Sequence, residues 1–157
     1  MLELLVLVIA ANSAPVLARH VCGARLAAPI DGGRVLRDGR PLFGSSKTWR
    51  GLVAGGLASA ALAPLLGLAP GLGLATGALA LGGDLLASFI KRRRGYAASA
   101  RAPVLDTQPE VLLPAIVLRS AYGMSWLEVA AAALGFHLIV RFSSPLLYRL
   151  RLRRRPW

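Results

Sequence analysis

The segment GLVAGGLASAALAPLLGLAPGLGLATGALALGGDLLASFI, residues 51–90, contains a single charged residue, Asp84. One continuous helix of this length would measure about 60 Å at 1.5 Å per residue, twice the roughly 30 Å hydrocarbon core of a bilayer. The segment must therefore fold back once, and the Gly and Pro residues of GLAPG at 67–71 favour a turn there. We predict a hairpin of two membrane-spanning helices, over about residues 51–67 and 71–90.

Three other apolar segments, at about residues 1–18, 110–123 and 126–142, predict further spans. The 157-residue chain is 55% hydrophobic and still carries a formal charge of +12, whereas soluble domains are less apolar and spread their charge evenly. The apolar run at 110–123 is the shortest, and a short or re-entrant helix is an alternative there. We predict an all-α integral membrane protein, a single domain over residues 1–157 with five transmembrane helices.

Lys and Arg residues are concentrated on one side of these spans. Of the 19, all but Arg119 precede the second span, lie between the third and fourth, or lie at the end of the fifth and beyond. Because cytoplasmic flanks retain positive charge, we predict an outside N-terminus, a cytoplasmic C-terminus and a long cytoplasmic loop between the first two spans. Topology and anionic lipid headgroups account for these clusters without a nucleic-acid partner.

The first span has Glu3 where a signal peptide has a positive n-region, which predicts an uncleaved helix. The lone Cys22 cannot form an internal disulfide, and we interpret it as a small packing residue with a reduced thiol. The predicted location is the cytoplasmic (inner) membrane, as a multi-pass protein.

Asp84 lies seven residues before Lys91, about 10 Å inside the cytoplasmic end of the third span. A buried acid costs about 2.5 to 3.5 kcal/mol on insertion scales, so it needs a partner or a polar cavity. Asp84, Ser88 and Lys91 have the i, i+4, i+7 spacing of one helix face. That face would hold a cation near Asp84 and an anion near Lys91. A structural pair of Asp84 with an arginine of another span, or with Lys91 itself, is the alternative.

A second acid, Asp106, lies between Pro103 and Pro109 in the stretch APVLDTQPE at 102–110, which we interpret as part of a turn-rich loop that returns towards the membrane. Mg²⁺ prefers oxygen ligands and takes few of them from protein when phosphates supply the rest. We therefore predict a Mg²⁺ site at Asp84 and Asp106, facing the cytoplasm. Glu110 is a further candidate ligand, and a solvated acid at the start of a helix is its alternative role.

The segment GSSKTWRG at 44–51 directly precedes the second span. Its hydroxyls, its glycines at each end and the cations Lys47 and Arg50 suit phosphate oxygens. It is not a Walker A loop, because the glycine spacing and the preceding strand are absent. In the loop before it, Asp38-Gly39 predicts a tight turn between two short extended pieces.

Asn12 and Pro15 place an amide and a helix breaker inside the first span. A simple kink is one interpretation. The other is a polar groove reached by a lipid headgroup, because breaks at that depth are tolerated where they line a cavity. It makes Asn12 and Pro15 candidate lipid contacts. His137 has no partner at metal-ligand spacing, and we interpret it as a packing or interfacial residue.

Segments across nearly the whole chain resemble the CDP-archaeol synthases, a family of archaeal-type CTP-dependent cytidylyltransferases with bacterial relatives. They are NSAP at 12–15, PIDGG at 29–33, LFG at 42–44, SKTWRG at 46–51, GD at 83–84, SFIKRR at 88–93 and PVLD at 103–106. The family tends to have Gln directly after the last aspartate, whereas here Thr107 precedes Gln108. The role of Gln108 therefore stays open.

The resemblance implies a membrane enzyme of phospholipid biosynthesis that transfers CMP from CTP to a lipid phosphate, giving a CDP-lipid and pyrophosphate with Mg²⁺. It implies that Asp84, Asp106 and Lys91 are catalytic and that the two aspartates bind the metal. The candidate nucleotide and phosphate contacts are Ser46, Lys47, Arg50, Ser88, Arg92 and Arg93.

Two other functions fit the same residues. In a small transporter or channel, Asp84 and Arg119 would mark an ion path. In a non-catalytic membrane scaffold, the basic loops would only bind anionic lipid. A homodimer, the lipid phosphate that is used and a strict preference for CTP are left open by the sequence.

Overall fold

The computed structural model describes residues 1–97, 100 and 102–149, and the side chains of all of these except 144–149. It contains α1 (Leu2–Cys22), α2 (Trp49–Leu62), α3 (Pro70–Arg93), α4 (Pro103–Val117) and α5 (Trp126–Arg149). The described part is all-helical as predicted, with two isolated bridges in the first loop and no strand. Arg101 and the arginines from 151 onward, which supported the predicted topology, lie outside the described residues.

The predicted apolar hairpin is confirmed as α2 and α3. α2 continues in a 3-10 turn, Ala63–Leu66, which ends at Gly67 with a φ of 72°. This left-handed conformation favours glycine. α3 then begins at Pro70, where the missing N–H costs nothing because the first turn of a helix has no partner for it.

Close backbone approach holds α1, α2 and α3 together. A Cβ atom added to Gly55 of α2 would lie 2.6 Å from the Ala11 carbonyl oxygen of α1 and 2.7 Å from Leu81 Cδ1 of α3. Small residues allow this packing in lipid, where burial of apolar surface gives little drive for helices to associate. The core beside this contact is formed by buried side chains of α1, α3, α4 and α5, among them Leu4, Val111 and Phe136.

Four helical segments of the described chain are long and apolar enough to cross a membrane: Leu2–Cys22, Trp49–Leu66, Pro70–Arg93 and Trp126–Ser143. They correspond to the first, second, third and fifth predicted spans. Each extends past its predicted bounds at one end or both. α1 runs through Pro15 to Cys22 as one helix, so Pro15 does not end or divide it, and the kink and the polar groove both stay predictions.

The fourth predicted span, at 110–123, is wrong in its bounds. α4 begins at Pro103 and ends at Val117, and turns occupy residues 118–123. Pro103 supplies the fixed φ of a first helical position, and Asp106 N–H bonds to the Ala102 carbonyl at 2.7 Å in the first turn. Pro109 lies inside the helix. The prolines therefore do not mark loop here, and Asp106 belongs to α4.

The first loop folds into a defined structure. The predicted tight turn at Asp38-Gly39 is confirmed, because Leu36 N–H bonds to the Arg40 carbonyl at 2.9 Å and Gly39 has a φ of 73°. The flanking pieces pair at the bridge between Val35 and Pro41. We call residues 34–42 the loop hairpin.

Candidate active site

The Asp31 carboxylate organises the first loop. Asp31 is 5% exposed, and its oxygens accept N–H bonds from Gly33 at 3.0 Å, Phe43 at 3.0 Å and Gly44 at 2.9 Å. Burial opposes ionisation of Asp31, but the N–H bonds from Gly44, Phe43 and Gly33 outweigh it and lower its pKa. A charged Asp31 thus joins the PIDGG and LFG segments.

This junction leads directly to Lys47. Lys47 N–H bonds to the Gly44 carbonyl at 3.1 Å, and the Lys47 carbonyl accepts from Ile30 N–H at 2.9 Å. Thr48 then caps α2, accepting the Gly51 N–H at 3.2 Å on its hydroxyl. Lys47 is therefore fixed on both sides, at the point where the loop enters the helix.

Lys47 Nζ forms an ion pair with Asp84 Oδ2 of α3. The side chains are 22% and 25% exposed, so both charges are largely removed from solvent and each compensates the other. The prediction that the Asp84 carboxylate needs a partner is confirmed, but both partners that were considered for it are wrong. The partner is the loop lysine, and neither Lys91 nor an arginine.

Lys91 pairs instead with Asp106. Lys91 Nζ lies 2.5 Å from Asp106 Oδ1, and Asp106 Oδ2 accepts the Ala102 N–H at 2.8 Å. Lys91 Nζ also donates to the Ala100 carbonyl at 3.2 Å. The Lys91 side chain is 11% exposed and that of Asp106 34%, so the lysine is shielded from water while the carboxylate is partly open to it.

Asp84 and Asp106 lie on the same side of the contact between α3 and α4. α3 and α4 run antiparallel, and they cross at Gly83, where an added Cβ would collide with the Pro109 carbonyl. From this crossing Asp84 is one residue and Asp106 three residues towards the shared end, or about 1.5 and 4.5 Å along the helices. The backbone positions of the two aspartates therefore differ by about 3 Å along the helices, and each carboxylate has its own lysine.

Ser88 and Ser46, both predicted phosphate contacts, differ in exposure. Ser88 is 5% exposed and lies on α3 between the two ion pairs in sequence. Ser46 is exposed in the turn before Lys47.

Three predicted phosphate-binding arginines hold backbone carbonyls. Arg92 is 5% exposed and donates to the Ala97 carbonyl at 2.9 Å. Arg50 donates to the carbonyls of Gly23 at 3.0 Å and Arg25 at 2.5 Å, which fixes α2 to the end of α1. Arg93 is bound to the loop hairpin through Asp38 and two carbonyls.

Asn12 reaches α4. Its Nδ2 donates to Glu110 Oε2 at 2.8 Å across the bundle. Glu110 lies inside α4 and half-buried, so its interpretation as a solvated acid at a helix start is wrong. Pro15 packs against α2, where a Cβ on Gly51 would lie 3.3 Å from Pro15 Cβ.

Thr107 and His137 connect α4 to α5. Thr107 is 4% exposed, and its hydroxyl lies 2.9 Å from His137 Nδ1 and 2.9 Å from the Pro103 carbonyl. Gln108 donates to the Ala133 carbonyl of α5 at 3.3 Å. His137 has the packing role that was predicted, and Thr107 and Gln108 hold the helix that carries Asp106.

Arg119 lies at the opposite end of the bundle. Its Nη1 donates to the Met124 carbonyl at 2.8 Å, and its guanidinium lies 4.9 Å from the centre of the Trp126 ring. The site cations Lys47 and Lys91 are at the other ends of the helices. Arg119 and Asp84 therefore share no contact that would mark an ion path.

Comparison with known proteins shows the family of this chain. The model of the family described as CarS-like, CDP-archaeol synthase, matches residues 1–69 and 65–157. The CDP-archaeol synthase of Aeropyrum pernix is 40% identical over 94% of this chain and 85% of its own length. That of Hyperthermus butylicus is 38% identical over 95% of this chain and 90% of its own. The chain belongs to the CDP-archaeol synthase family.

A solved structure extends the likeness to the fold. It is described as an intramembrane enzyme for archaeal membrane lipids biosynthesis, and it is 36% identical with a TM-score of 0.67 over 89% of this chain and 91% of its own. The predicted resemblance to CDP-archaeol synthases is thus confirmed, as is the prediction of a CTP-dependent cytidylyltransferase. The chain is a multi-pass membrane protein that forms a CDP-lipid.

The Asp84 and Asp106 carboxylates of this chain suit a hard divalent cation. Among the described residues no three His, Cys, Asp or Glu side chains are grouped closely enough to form a complete protein site. Asp84 and Asp106 offer hard oxygen donors only, which fits an ion such as Mg²⁺ that binds one or two carboxylates and takes its other ligands from phosphates and water. The same set does not suit a structural zinc ion.

Two features of the CDP-archaeol synthase site were missed in the sequence. The first is Asp31, whose carboxylate orders the loop that positions Lys47. The two glycines after it, Gly32 and Gly33, could have indicated an ordered turn, and in the structure both have positive φ. The contact of Asn12 with Glu110 had no signal in spacing, because 98 positions separate the two residues.

Proposed function

We propose that this chain transfers CMP from CTP to an ether-linked isoprenoid glycerol phosphate, the lipid class indicated by the names of its relatives. The observation that carries the proposal is the pair of lysine–aspartate contacts on the same side of the α3–α4 contact at Gly83. The two lysines would bind phosphate oxygens, and the two aspartates would bind the divalent ion that accompanies a triphosphate. Their place near the polar loops would let CTP and a lipid phosphate meet.

The reaction needs no enzyme nucleophile. An anionic oxygen of the lipid phosphate attacks the α-phosphorus of CTP and forms the new P–O bond. The bond from that phosphorus to the bridging oxygen breaks, and pyrophosphate leaves with the electron pair. The difficulty is to bring two anions together and to stabilise the leaving group, which positioned cations accomplish.

Lys47 and Lys91 are proposed to change partners during this reaction. Each is held by a carboxylate in the substrate-free protein, which keeps it in place at low exposure. When the triphosphate binds, the ammonium groups turn to its oxygens and neutralise the departing pyrophosphate. Arg92, at 5% exposure beside Lys91, is a third cation for the phosphates.

Asp84 and Asp106 would hold Mg²⁺. When bound, Mg²⁺ would supply Lewis-acid polarisation of the phosphate oxygens. The two carboxylates released from their lysines would orient the triphosphate against α3 and α4. In this proposal, aspartate and lysine have paired roles, so loss of either member affects both substrate binding and the charge balance of the site.

The site is proposed to face the cytoplasm, with five crossings of the membrane. The end of α1, the start of α2 with the preceding Lys47, and α3 are joined by the contacts of Arg50 and Lys47, and the positive residues there favour the cytoplasmic side. α4 has 15 residues, or about 22 Å. The turns after it reach the outer part of α3, where Tyr122 Oη lies 2.7 Å from Thr76 Oγ1. α4 and these turns would complete the fourth crossing.

The lipid chains are proposed to lie between α1 and α2. A groove of about 370 Å³ opens there between apolar side chains, including Leu17 and Leu62. Ala61→Phe, in the groove wall, should raise KM for the lipid phosphate and leave KM for CTP unchanged. Leu57→Phe, on an exposed position of α2 outside the groove, is the matched control.

The proposal is tested by incubating the purified protein with labelled CTP, Mg²⁺ and a panel of lipid phosphates. The panel contains an ether-linked isoprenoid, a diacyl and a prenyl phosphate, and products are identified by mass. We expect a CDP-lipid and pyrophosphate, with the ether-linked isoprenoid preferred. Absence of CTP consumption with every lipid would contradict the function, and preference for a diacyl lipid would contradict the substrate class.

A further inference from the structure

The loop hairpin and the end of α3 hold each other through Asp38, Arg40 and Arg93, which we call the arginine clasp. Arg93 Nη1 bonds to Asp38 Oδ2, and its Nη2 donates to the carbonyls of Arg40 at 3.1 Å and Pro41 at 2.6 Å. In return, Arg40 Nη1 donates to the carbonyls of Arg92 at 3.4 Å and Arg93 at 2.6 Å. Each arginine therefore binds the backbone of the other.

The clasp adds donors at the carboxyl end of α3. The Lys91 and Arg92 carbonyls accept the N–H groups of Tyr96 at 3.0 Å and Gly95 at 3.1 Å. The Arg40 guanidinium adds donors at the Arg92 and Arg93 carbonyls and a positive charge where the helix dipole favours one. Gly95, with a φ of 78°, leaves room for it, since a Cβ there would lie 3.1 Å from Arg40 Nη2. The Arg93 guanidinium also lies 5.5 Å from the centre of the Phe89 ring.

The clasp connects the two segments that carry the site lysines. Lys91 and Arg92 directly precede Arg93 on α3, and the loop hairpin leads into the turn at 44–47 that carries Lys47. Within the described residues, the clasp contacts are direct bonds between these two segments in addition to the Lys47–Asp84 pair. The clasp therefore holds the loop hairpin against the end of α3 that carries Lys91.

We propose that the arginine clasp is a positioning device for cytidylyl transfer. Arg40 and Arg93 act as positioning residues, which keep Lys47 and Lys91 at the spacing that the triphosphate requires. The inference rests on the proposed function, and it replaces the predicted phosphate contact of Arg93. The Arg93 guanidinium already donates to a carboxylate and two carbonyls of the protein. These contacts use the planar donor pair that would otherwise bind a phosphate.

Asp38→Ala separates the two roles of Arg93, since it removes an acid and leaves every cation in place. If Arg93 bound phosphate, loss of the competing carboxylate would leave kcat unchanged or lower KM for CTP. For a clasp, we expect kcat to fall about tenfold, because a misplacement of about 1 Å costs up to a hundredfold. KM for CTP should change less, and Asp38→Glu should restore part of the rate.

Two variants provide the comparison. Arg93→Lys keeps the charge but loses the planar fork, so kcat should fall as it does in Asp38→Ala. Arg37→Ala removes a cation from an exposed neighbouring position of the same hairpin, outside the clasp, and should leave kcat unchanged. Unaltered kcat in both Asp38→Ala and Arg93→Lys, or a rise in KM for CTP alone, would overturn the proposal.

Amide hydrogen exchange tests the clasp without turnover. Leu36 and Leu42 N–H groups bond across the loop hairpin, and their exchange should become at least about tenfold faster in Asp38→Ala, as local opening becomes easier. Unchanged protection would overturn the clasp. Failure of the unaltered protein to form a CDP-lipid would instead contradict the proposed function, whatever the exchange rates show.

Discussion

Lys47 Nζ and Asp84 Oδ2 form an ion pair between residues 37 positions apart in sequence. The pair joins the first loop to the third helix at the polar end of the bundle. It accounts for an acid in an otherwise uncharged 40-residue segment, because a partly buried carboxylate is tolerated when an ammonium group compensates it.

Removal of Lys47 should cost both stability and turnover. Lys47→Met leaves Asp84 without its partner, so we expect the free energy of unfolding in detergent to fall by about 1–3 kcal/mol. The double variant Lys47→Met/Asp84→Asn should recover part of that loss, since no unpaired charge remains. If the losses in unfolding free energy of the two single variants simply added in the double variant, Lys47 and Asp84 would not interact directly.

Lys47→Arg tests whether the cation has a specific position. Arginine keeps the charge but differs in shape and donor geometry, so the pair with Asp84 should persist while KM for CTP rises. A scaffold that only binds anionic lipid would tolerate this change. Thermal unfolding and CTP kinetics on the same preparation distinguish the two outcomes.

Two adjacent glycines of α3 should respond in opposite directions to alanine. At Gly83 a Cβ would collide with the Pro109 carbonyl, whereas at Gly82 the nearest atom would be Leu113 Cδ2 at 3.7 Å. We expect Gly83→Ala to lower the free energy of unfolding by about 1–3 kcal/mol. Gly82→Ala should be neutral or stabilising by up to about 1 kcal/mol. Equal effects would show that α3 and α4 do not cross at Gly83.

Acid should release the first loop through Asp31. Because the pKa of Asp31 is lowered in the folded protein, its contribution to stability is complete above the ordinary pKa of about 3.9. That contribution is lost as pH falls through the lower folded value. Amide exchange at Phe43 and Gly44, corrected for the intrinsic pH dependence, should therefore stay slow from pH 8 to about 5 and accelerate below about 4. Asp31→Asn should be fast throughout, and an unchanged profile in that variant would contradict the assignment.

The sequence predicts the parts of the fold that local chemistry determines. The hairpin of α2 and α3 follows from one apolar segment too long for a single crossing and from GLAPG in its middle. The tight turn at Asp38-Gly39 follows from residues that favour turns. These features depend on neighbours in the chain, so a single sequence is enough to find them.

Contacts between residues far apart in the chain could not be predicted from local sequence patterns. Helical spacing placed Asp84 and Lys91 on one face, but it could not show that each pairs with a residue of another segment. The prolines at 103 and 109 were interpreted as loop signals, because their tolerance within α4 depends on helix position and packing. Arg93 looked like a phosphate contact until the fold placed the loop hairpin against its guanidinium.

The central claim is that Asp84 and Asp106 serve the transfer of CMP and are more than structural partners of two lysines. The most direct measurement is CDP-lipid formation by Asp84→Asn and Asp106→Asn in membrane-inserted protein whose thermal unfolding is still cooperative. Asparagine keeps the size and one oxygen but removes the charge that would hold Mg²⁺. We predict no detectable CDP-lipid from either variant at any Mg²⁺ concentration. Turnover near that of the unaltered protein in either one would contradict the account.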